Sequence, residues 1–216
     1  MPNWCENKFE IEDSGDDCDA EELQKFMEII VDEPEERLRP SYRLVNLSPM
    51  PEVLNGTRSP KPTGDFDSDG RWTELVEDSS NDFWTPELYE ERKAEHYTLI
   101  EKGDRAKAET GWDNWYDWTN SDSNWGTKWG DCTTEVTFDP DYGIEGNYDT
   151  AWGPLSTEFW VRVSKRFPTL KIVVTYSEGG MGFEGGMAFY DGECLYDECT
   201  EMSTHYGSAQ QALSYV

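Results

Sequence analysis

Apolar and polar side chains alternate along several stretches of this chain, most clearly in residues 132–138. A period of two, with β-branched and aromatic residues on one face, is typical of a half-buried strand. The same alternation recurs in residues 4–12, 144–152, 170–176 and 181–189, so the chain is predicted to form a sheet. In the clearest stretch, one face carries Cys132, Thr134, Val136 and Phe138, and the other carries Thr133, Glu135 and Thr137.

Two other segments repeat their apolar residues at helical spacing. The first is opened by Asp19, with Glu22 completing a capping box, and must end before Pro34. The second begins at Gly153-Pro154, with proline in its first turn, and ends at Pro168. The predicted core faces are Leu23, Phe26, Met27 and Ile30 in the first helix, and Leu155, Phe159, Val163 and Phe167 in the second.

A stretch of about residues 40–122 separates the first helix from the second strand, and we interpret it as an insertion of helices and loops. Thr85-Pro86 is a good helix start, and Gly103 is the expected stop. A second helical run then leads into three tryptophans at a spacing of three, which would place them on one face of a helical turn. These tryptophans are Trp112, Trp115 and Trp118.

Without the insertion, the predicted order is strand–helix–strand–strand–helix–strand. That order is the ferredoxin-like split βαβ arrangement. We therefore predict a single α+β domain over residues 1–216, with an antiparallel sheet, helices on one face, the helical insertion and an extra edge hairpin.

Charge narrows the classes of partner. The 46 acidic and 18 basic residues give a net charge of −28, which argues against direct binding to nucleic acid because phosphates would be repelled. Such acidity fits a solvated surface, a surface for a basic partner, or adaptation to high salt. Aromatic residues make up 14% of the chain, which favours a folded protein over an acidic disordered one. Without an apolar run or a signal sequence, we expect reduced thiols in a cytoplasm.

Catalytic patterns are missing from the sequence. The two histidines, His96 and His205, are far apart, and no metal-ligand motif, phosphate loop or nucleophile elbow is present. Cys194 and Cys199 have no paired partners at zinc spacing. We expect no metal, no cofactor and no enzymatic activity, and a hydrolase ranks third among the functional hypotheses.

Two groups of residues are candidates for binding. Aromatic, glycine and lysine residues gather in one set, which could line a pocket for a small, flat, nucleotide-like ligand or could simply be core. The other set lies in an acidic segment around the first helix and could meet a partner protein. The candidate ligand-binding residues are Trp4, Trp125, Lys128, Trp129 and Trp152, and the candidate partner-binding residues are Asp16, Asp17, Asp19, Glu21 and Glu22.

Several ordered motifs resemble a known family. They are Met-Pro-Asn-Trp-Cys-Glu-Asn at 1–7, Leu-Ser-Pro-Met-Pro-Glu at 47–52, Asn-Trp-Gly-Thr-Lys-Trp at 124–129, Tyr-Asp-Thr-Ala-Trp-Gly-Pro at 148–154 and Tyr-Ser-Glu-Gly-Gly-Met-Gly-Phe-Glu-Gly at 176–185. The chain resembles the YubB-type ferredoxin-like domain family of bacteriophages and conjugative plasmids. The resemblance implies a fold and a mobile-element context, but no mechanism.

Together these observations favour a function in binding. The leading hypothesis is an accessory protein of a phage or mobile element whose acidic surface acts as a decoy for a host nucleic-acid-handling or defence protein in the bacterial cytoplasm. The alternative is a sponge-type protein that holds a nucleotide-like ligand in a tryptophan-lined pocket.

Overall fold

The structure, a computed structural model, describes residues 3–13, 20–32, 41–62 and 86–202. The chain divides into two compact units, Met1–Pro49 with Thr119–Val216, and Met50–Trp118. The strands are β1 Trp4–Asp13, β2 Val31–Asp32, β3 Ser41–Tyr42, β4 Cys132–Asp139, β5 Gly143–Ala151, β6 Leu170–Glu178, β7 Phe183–Tyr190 and β8 Glu193–Glu201. The α-helices are α1 Ala20–Ile30, α2 Pro86–Thr110, α3 Trp115–Thr119 and α4 Thr157–Arg166, with 3₁₀ turns at Leu44–Leu47 and Glu52–Leu54.

A six-stranded sheet forms the body of the first unit. Its strand order is β4-β5-β1-β6-β7-β8, and every neighbouring pair is antiparallel. Strands β2 and β3 form a separate two-stranded ribbon. This architecture confirms the α+β class and the antiparallel sheet predicted from the alternation of side chains.

The two faces of the sheet differ. Phe9 and Ile11 of β1 are buried on one face, opposite Val174 and Ile172 of β6. The ring of Phe9 lies 6.5 Å from that of Trp160, which brings helix α4 onto this face. On the other face, exposed residues of β1, β4 and β5 are mostly polar, including Glu6, Lys8, Glu135, Thr137, Glu145 and Asn147.

Helix α4 begins later than the sequence predicted. The expected start at Gly153-Pro154 is wrong, because the helix runs from Thr157 to Arg166 with Ser156 as its N-cap. The Ser156 hydroxyl accepts a hydrogen bond from Phe159 N at 3.0 Å, which satisfies one of the free N–H groups of the first turn. The Ser156 cap therefore determines where α4 begins, and Pro154 lies before the helix.

In the second unit, α2 is one continuous helix, so the predicted stop at Gly103 is wrong. A Cβ at Gly103 would lie 2.7 Å from Lys61 Cδ. This glycine, in the middle of α2, therefore makes room for the Lys61 side chain against the helix. The helix ends instead at Thr110, followed by Gly111, whose φ of +84° suits glycine and whose N–H donates to Lys107 O. Because α3 starts at Trp115, Trp112 does not share a helix with Trp115 and Trp118, contrary to the prediction.

Candidate binding surface

Three tryptophans from distant parts of the chain meet at one end of the sheet. Trp4 is the first residue of β1 and pairs with Ala151, the last residue of β5. Trp152 directly follows Ala151, so it lies close to Trp4. The ring of Trp129 lies 6.1 Å from that of Trp4 and 6.3 Å from that of Trp152, with the latter pair stacked at 25°. The three residues are 44%, 38% and 39% exposed, respectively, for Trp4, Trp129 and Trp152. They form a half-exposed aromatic cluster rather than part of the core.

Lys128 completes this tryptophan cluster. Its Nζ lies 4.7 Å from the ring centroid of Trp129 and 5.7 Å from that of Trp152, within the range of a cation–π interaction. The contact holds a positive charge over the two rings. The cluster therefore combines flat apolar surface with one located cation.

Buried hydroxyl groups hold the loop that carries Lys128 and Trp129. Thr127 is fully buried, and its Oγ1 donates to Ala151 O at 2.9 Å and accepts from Ala151 N at 3.1 Å. Thr119 Oγ1 donates to Lys128 O at 2.9 Å. The Thr127 bonds tie the loop to the end of β5 and the Thr119 bond ties it to the end of α3, so Trp129 is positioned against Trp152 before anything binds.

The backbone at Trp152 also has an unusual conformation. Its φ is +69°, in the left-handed region that a bulky residue rarely adopts. Its N–H donates to Asn3 O at 2.9 Å, which links the end of β5 to the residue before Trp4. A residue keeps such a conformation only where the surrounding structure stabilises it. Residues of this kind are frequent at functional sites.

Trp125 does not join the cluster. It is only 7% exposed, and its indole Nε1 donates to Ser48 O at 2.8 Å. Gly130 packs close by, since a Cβ there would lie 3.4 Å from Trp125 Cε3. Of the five candidate ligand-binding residues, the structure brings Trp4, Lys128, Trp129 and Trp152 together and places Trp125 in the core.

The acidic candidates are placed differently. Asp16, Asp17 and Asp19 lie outside the described residues. Glu21 is exposed and forms an ion pair with Lys25 at 2.9 Å. Glu22 accepts hydrogen bonds from Thr169 Oγ1 at 2.7 Å and from Thr169 N at 3.3 Å, so it ties α1 to the chain after α4.

A second group of carboxylates lies on the open face of the sheet. Cross-strand pairing places Glu6 opposite Asp149 and Glu10 opposite Glu145, all on the same face as Lys8. A shallow groove of about 350 Å³ crosses this face. Its lining includes Glu6, Lys8, Asn147, Asp149, Thr175 and Ser177. The alternation of residues 4–12 predicts the charged outer face of β1. It does not predict which residues of β5 lie opposite, because that depends on the register of the two strands.

The basic side chains of α4 bind loops of the protein itself. Arg162 donates to Ser123 O at 2.8 Å, to Asn124 O at 3.1 Å and to Ser48 Oγ at 3.2 Å. Burial lowers the pKa of this guanidinium. Arg166 donates to Leu47 O at 3.2 Å. These contacts give both arginines a structural role.

Three described thiols, those of Cys5, Cys132 and Cys194, are poor nucleophiles at neutral pH. Burial raises the pKa of the Cys5 thiol to about 12, and it also raises the pKa of Cys132 and of Cys194. In the described ranges, no group of three or more His, Cys, Asp or Glu residues could hold a metal ion. None of the helices that the structure describes is long and apolar enough to span a membrane.

The fold and the cluster define an α+β protein with an antiparallel sheet and an exposed aromatic surface at one sheet end. No family model and no curated protein matches the chain. A solved structure similar to it is that of a protein api92 from Yersinia pseudotuberculosis, described by the family model DUF1281. The two are 13% identical, with a TM-score of 0.44, and the match covers 96% of this chain and 100% of the other.

Proposed function

We propose that this protein acts by binding rather than by catalysis, and that its partner is a host protein with a basic surface. The observation that carries this proposal is the open face of the sheet, where acidic side chains from adjacent strands lie side by side. Within β1, β4, β5 and β6, the basic side chains on this face are Lys8, whose Nζ is paired with Glu10, and, on β6, Lys171, which lies opposite Glu12. The acidic side chains on it are Glu6, Glu10, Glu12, Glu135, Glu145 and Asp149.

Charge complementarity gives this surface a physical role. A net charge of −28 raises the local concentration of a basic partner and speeds its association, while repelling nucleic acid. A host protein that handles DNA or RNA presents a basic groove, which the carboxylates would occupy in place of phosphates. The protein would therefore act as an acidic decoy, as expected of a phage or plasmid product that blunts a host defence in the bacterial cytoplasm.

We also propose that the fold is ferredoxin-like. The strands β1, β4, β5 and β6 stand in the order β4-β5-β1-β6, with α1 following β1 and α4 between β5 and β6. This is the order of a split βαβ arrangement, extended at one edge by β7 and β8. The ordered motifs quoted above support membership of the YubB-type family.

The decoy proposal is tested by salt and by matched charge changes. Pull-down from host cells should recover DNA- or RNA-binding proteins, and their affinity should fall by orders of magnitude from low to high salt. The double variant Glu6→Gln/Glu145→Gln should weaken binding more than Glu91→Gln/Glu101→Gln, which removes the same charge from the exposed side of α2. Salt-insensitive binding, or equal effects of the two variants, would contradict the proposal.

A second candidate function is favoured by the tryptophan cluster. Trp129 and Trp152 are stacked and half-exposed, and Lys128 lies over both rings, an arrangement suited to a flat anionic ligand. Stacking on an aromatic side chain contributes about 1–3 kcal/mol per base. Native mass spectrometry of protein purified from host cells should then show a retained small molecule. That molecule should be lost in Trp129→Ala/Trp152→Ala and kept in Tyr142→Ala, which removes an exposed ring elsewhere.

A further inference from the structure

Large exposed apolar side chains gather at the sheet end that carries the tryptophan cluster. In addition to the three tryptophans, Met181 in the β6–β7 turn is 67% exposed and Met202 after β8 is 46% exposed. Among the described residues of the first unit, the remaining large exposed apolar side chain is Tyr142, in the turn between β4 and β5. We call the surface formed by Trp4, Trp129, Trp152, Met181 and Met202 the apolar sheet end.

Hydrogen bonds and one close side-chain approach link the chain segments that carry the apolar sheet end. Asn3 O accepts from Trp152 N, and a Cβ on Gly180 would lie 2.5 Å from Asn3 Nδ2. Met202 N donates to Gly182 O at 2.9 Å, so the end of β8 is joined to the β6–β7 turn. These contacts join the ends of β5, β1, β6, β7 and β8 at this edge, with the exposed amide of Asn3 between Trp152 and the β6–β7 turn.

A buried carboxylate shapes the middle of this surface. Glu178 is 1% exposed, and its Oε1 accepts from Gly180 N at 2.8 Å while its Oε2 accepts from Met181 N at 2.5 Å. These bonds fix the turn that presents Met181. Buried polar side chains thus hold the backbone at two places along the surface, Thr127 at the tryptophans and Glu178 at Met181.

The size and composition of the surface suit a protein segment. Adjacent strands are about 4.8 Å apart, so β5 to β8 span about 19 Å, the length of about 13 helical residues. Tryptophan and methionine are enriched at protein interfaces, and tryptophan is frequent among the residues that dominate binding. Flexible methionine side chains adapt to apolar partners.

We propose that the apolar sheet end anchors an amphipathic, basic segment of a partner protein, with its apolar side chains on the tryptophans and methionines. Acidic residues flank the surface: Glu6 follows Trp4 on β1, Asp149 precedes Trp152 on β5, and Glu201 adjoins Met202. Lys and Arg of the segment meet these carboxylates. A second copy of this chain fits less well, because two molecules of net charge −28 repel each other.

This inference rests on the proposed basic partner and adds the apolar contact that charge alone does not supply. Its test uses synthetic peptides of about 14 residues, long enough to span the surface as a helix. The first peptide repeats Leu-Lys-Lys-Leu-Leu-Lys-Leu, the second replaces each Leu by Ala, and the third replaces each Lys by Glu. Fluorescence of the exposed tryptophans and calorimetry on the full chain measure binding.

We expect the Leu/Lys peptide to bind at least about tenfold more tightly than the Ala/Lys peptide, and the Leu/Glu peptide not to bind. Trp129→Ala/Trp152→Ala should remove this difference. Met181→Ser/Met202→Ser changes two exposed side chains, so it should keep the fold and still reduce the difference. Tyr142→Ala, the matched control, should leave it unchanged.

Failures of the two proposals are distinguishable. Equal, salt-sensitive binding of both Lys peptides would overturn the anchoring surface and leave the acidic partner surface standing. Failure of both Lys peptides to bind at low salt would contradict both. A nucleotide such as AMP that quenches the tryptophans and displaces the Leu/Lys peptide would assign the surface to a small ligand and overturn the inference.

Discussion

At the scale of single residues, Asp131 stabilises the start of the Leu44–Leu47 turn. It is 1% exposed, its Oδ2 accepts from Leu44 N at 2.8 Å, and its Oδ1 accepts from Val45 N at 2.9 Å. Alanine would leave both buried N–H groups unpaired, so we expect Asp131→Ala to lower the free energy of unfolding by about 3 kcal/mol. Urea denaturation followed by tryptophan fluorescence measures this change.

Asp122→Ala is the control for Asp131→Ala. Asp122 is exposed, so its replacement should change the free energy of unfolding by less than about 0.5 kcal/mol. Equal effects of the two variants would show that the hydrogen bonds of Asp131 contribute little beyond its charge.

Trp125 and Trp129 show what a local sequence leaves undecided. Each precedes a glycine with positive φ, yet one indole is buried and the other is half-exposed. The difference arises from distant partners, since Ser48 accepts the hydrogen bond of Trp125, and Trp4 and Trp152 contact Trp129. The residue types of the site were predictable from sequence, but their separation into core and surface was not.

At the scale of elements, the loop before β4 depends on Thr127. Valine matches its shape but lacks the hydroxyl that bonds both Ala151 N and Ala151 O. We expect Thr127→Val to lower the free energy of unfolding by about 1–2 kcal/mol and to weaken the near-ultraviolet circular dichroism of the stacked tryptophans.

The matched change Thr137→Val removes a hydroxyl from an exposed position on β4. It should leave the near-ultraviolet spectrum as it is. If Thr127→Val also preserves that spectrum, the loop is held by packing and the two hydrogen bonds are not required to position Trp129.

Helix α2 gives a second prediction at this scale. Gly111 has a φ of +84° and no atom near its missing Cβ, so alanine would meet conformational strain without a steric clash. We expect Gly111→Ala to destabilise the end of α2 by about 1 kcal/mol, and Gly111→Asn to cost less because asparagine tolerates this conformation better. Amide hydrogen exchange in the last helical turn measures both, and equal protection in all three proteins would contradict the prediction.

The strands and helices were largely predictable from sequence where one face is buried and the other is exposed to solvent. The alternation in β1 and β4 and the apolar stripe of α1 fixed their places to within a few residues. One error occurred where a tertiary contact overrides a local signal, and the other where a second local signal, a helix cap, prevails. In α2, the Lys61 side chain packs over Gly103, so that glycine does not end the helix. In α4, the Ser156 cap moves the helix start from Pro154 to Thr157.

At the scale of the whole molecule, the net charge of −28 opposes compaction through self-repulsion. Salt screens this repulsion, so the melting temperature should rise by several degrees between about 10 mM and 500 mM sodium chloride. Potassium chloride and tetramethylammonium chloride at equal ionic strength should act alike. A melting temperature that is independent of salt, or one that responds only to sodium, would contradict simple screening.

The outermost strand β8 leaves one margin of the sheet without a strand partner among the described residues. Such margins invite polymerisation, because their open amide and carbonyl groups can template another chain. Here Glu193, Asp197, Glu198 and Glu201 line the margin, and no lysine or arginine interrupts them. If two copies paired along this margin, their acidic side chains would face each other and repel. This repulsion protects the molecule against fibre growth. Light scattering at acidic pH should show how much of its solubility depends on these carboxylates.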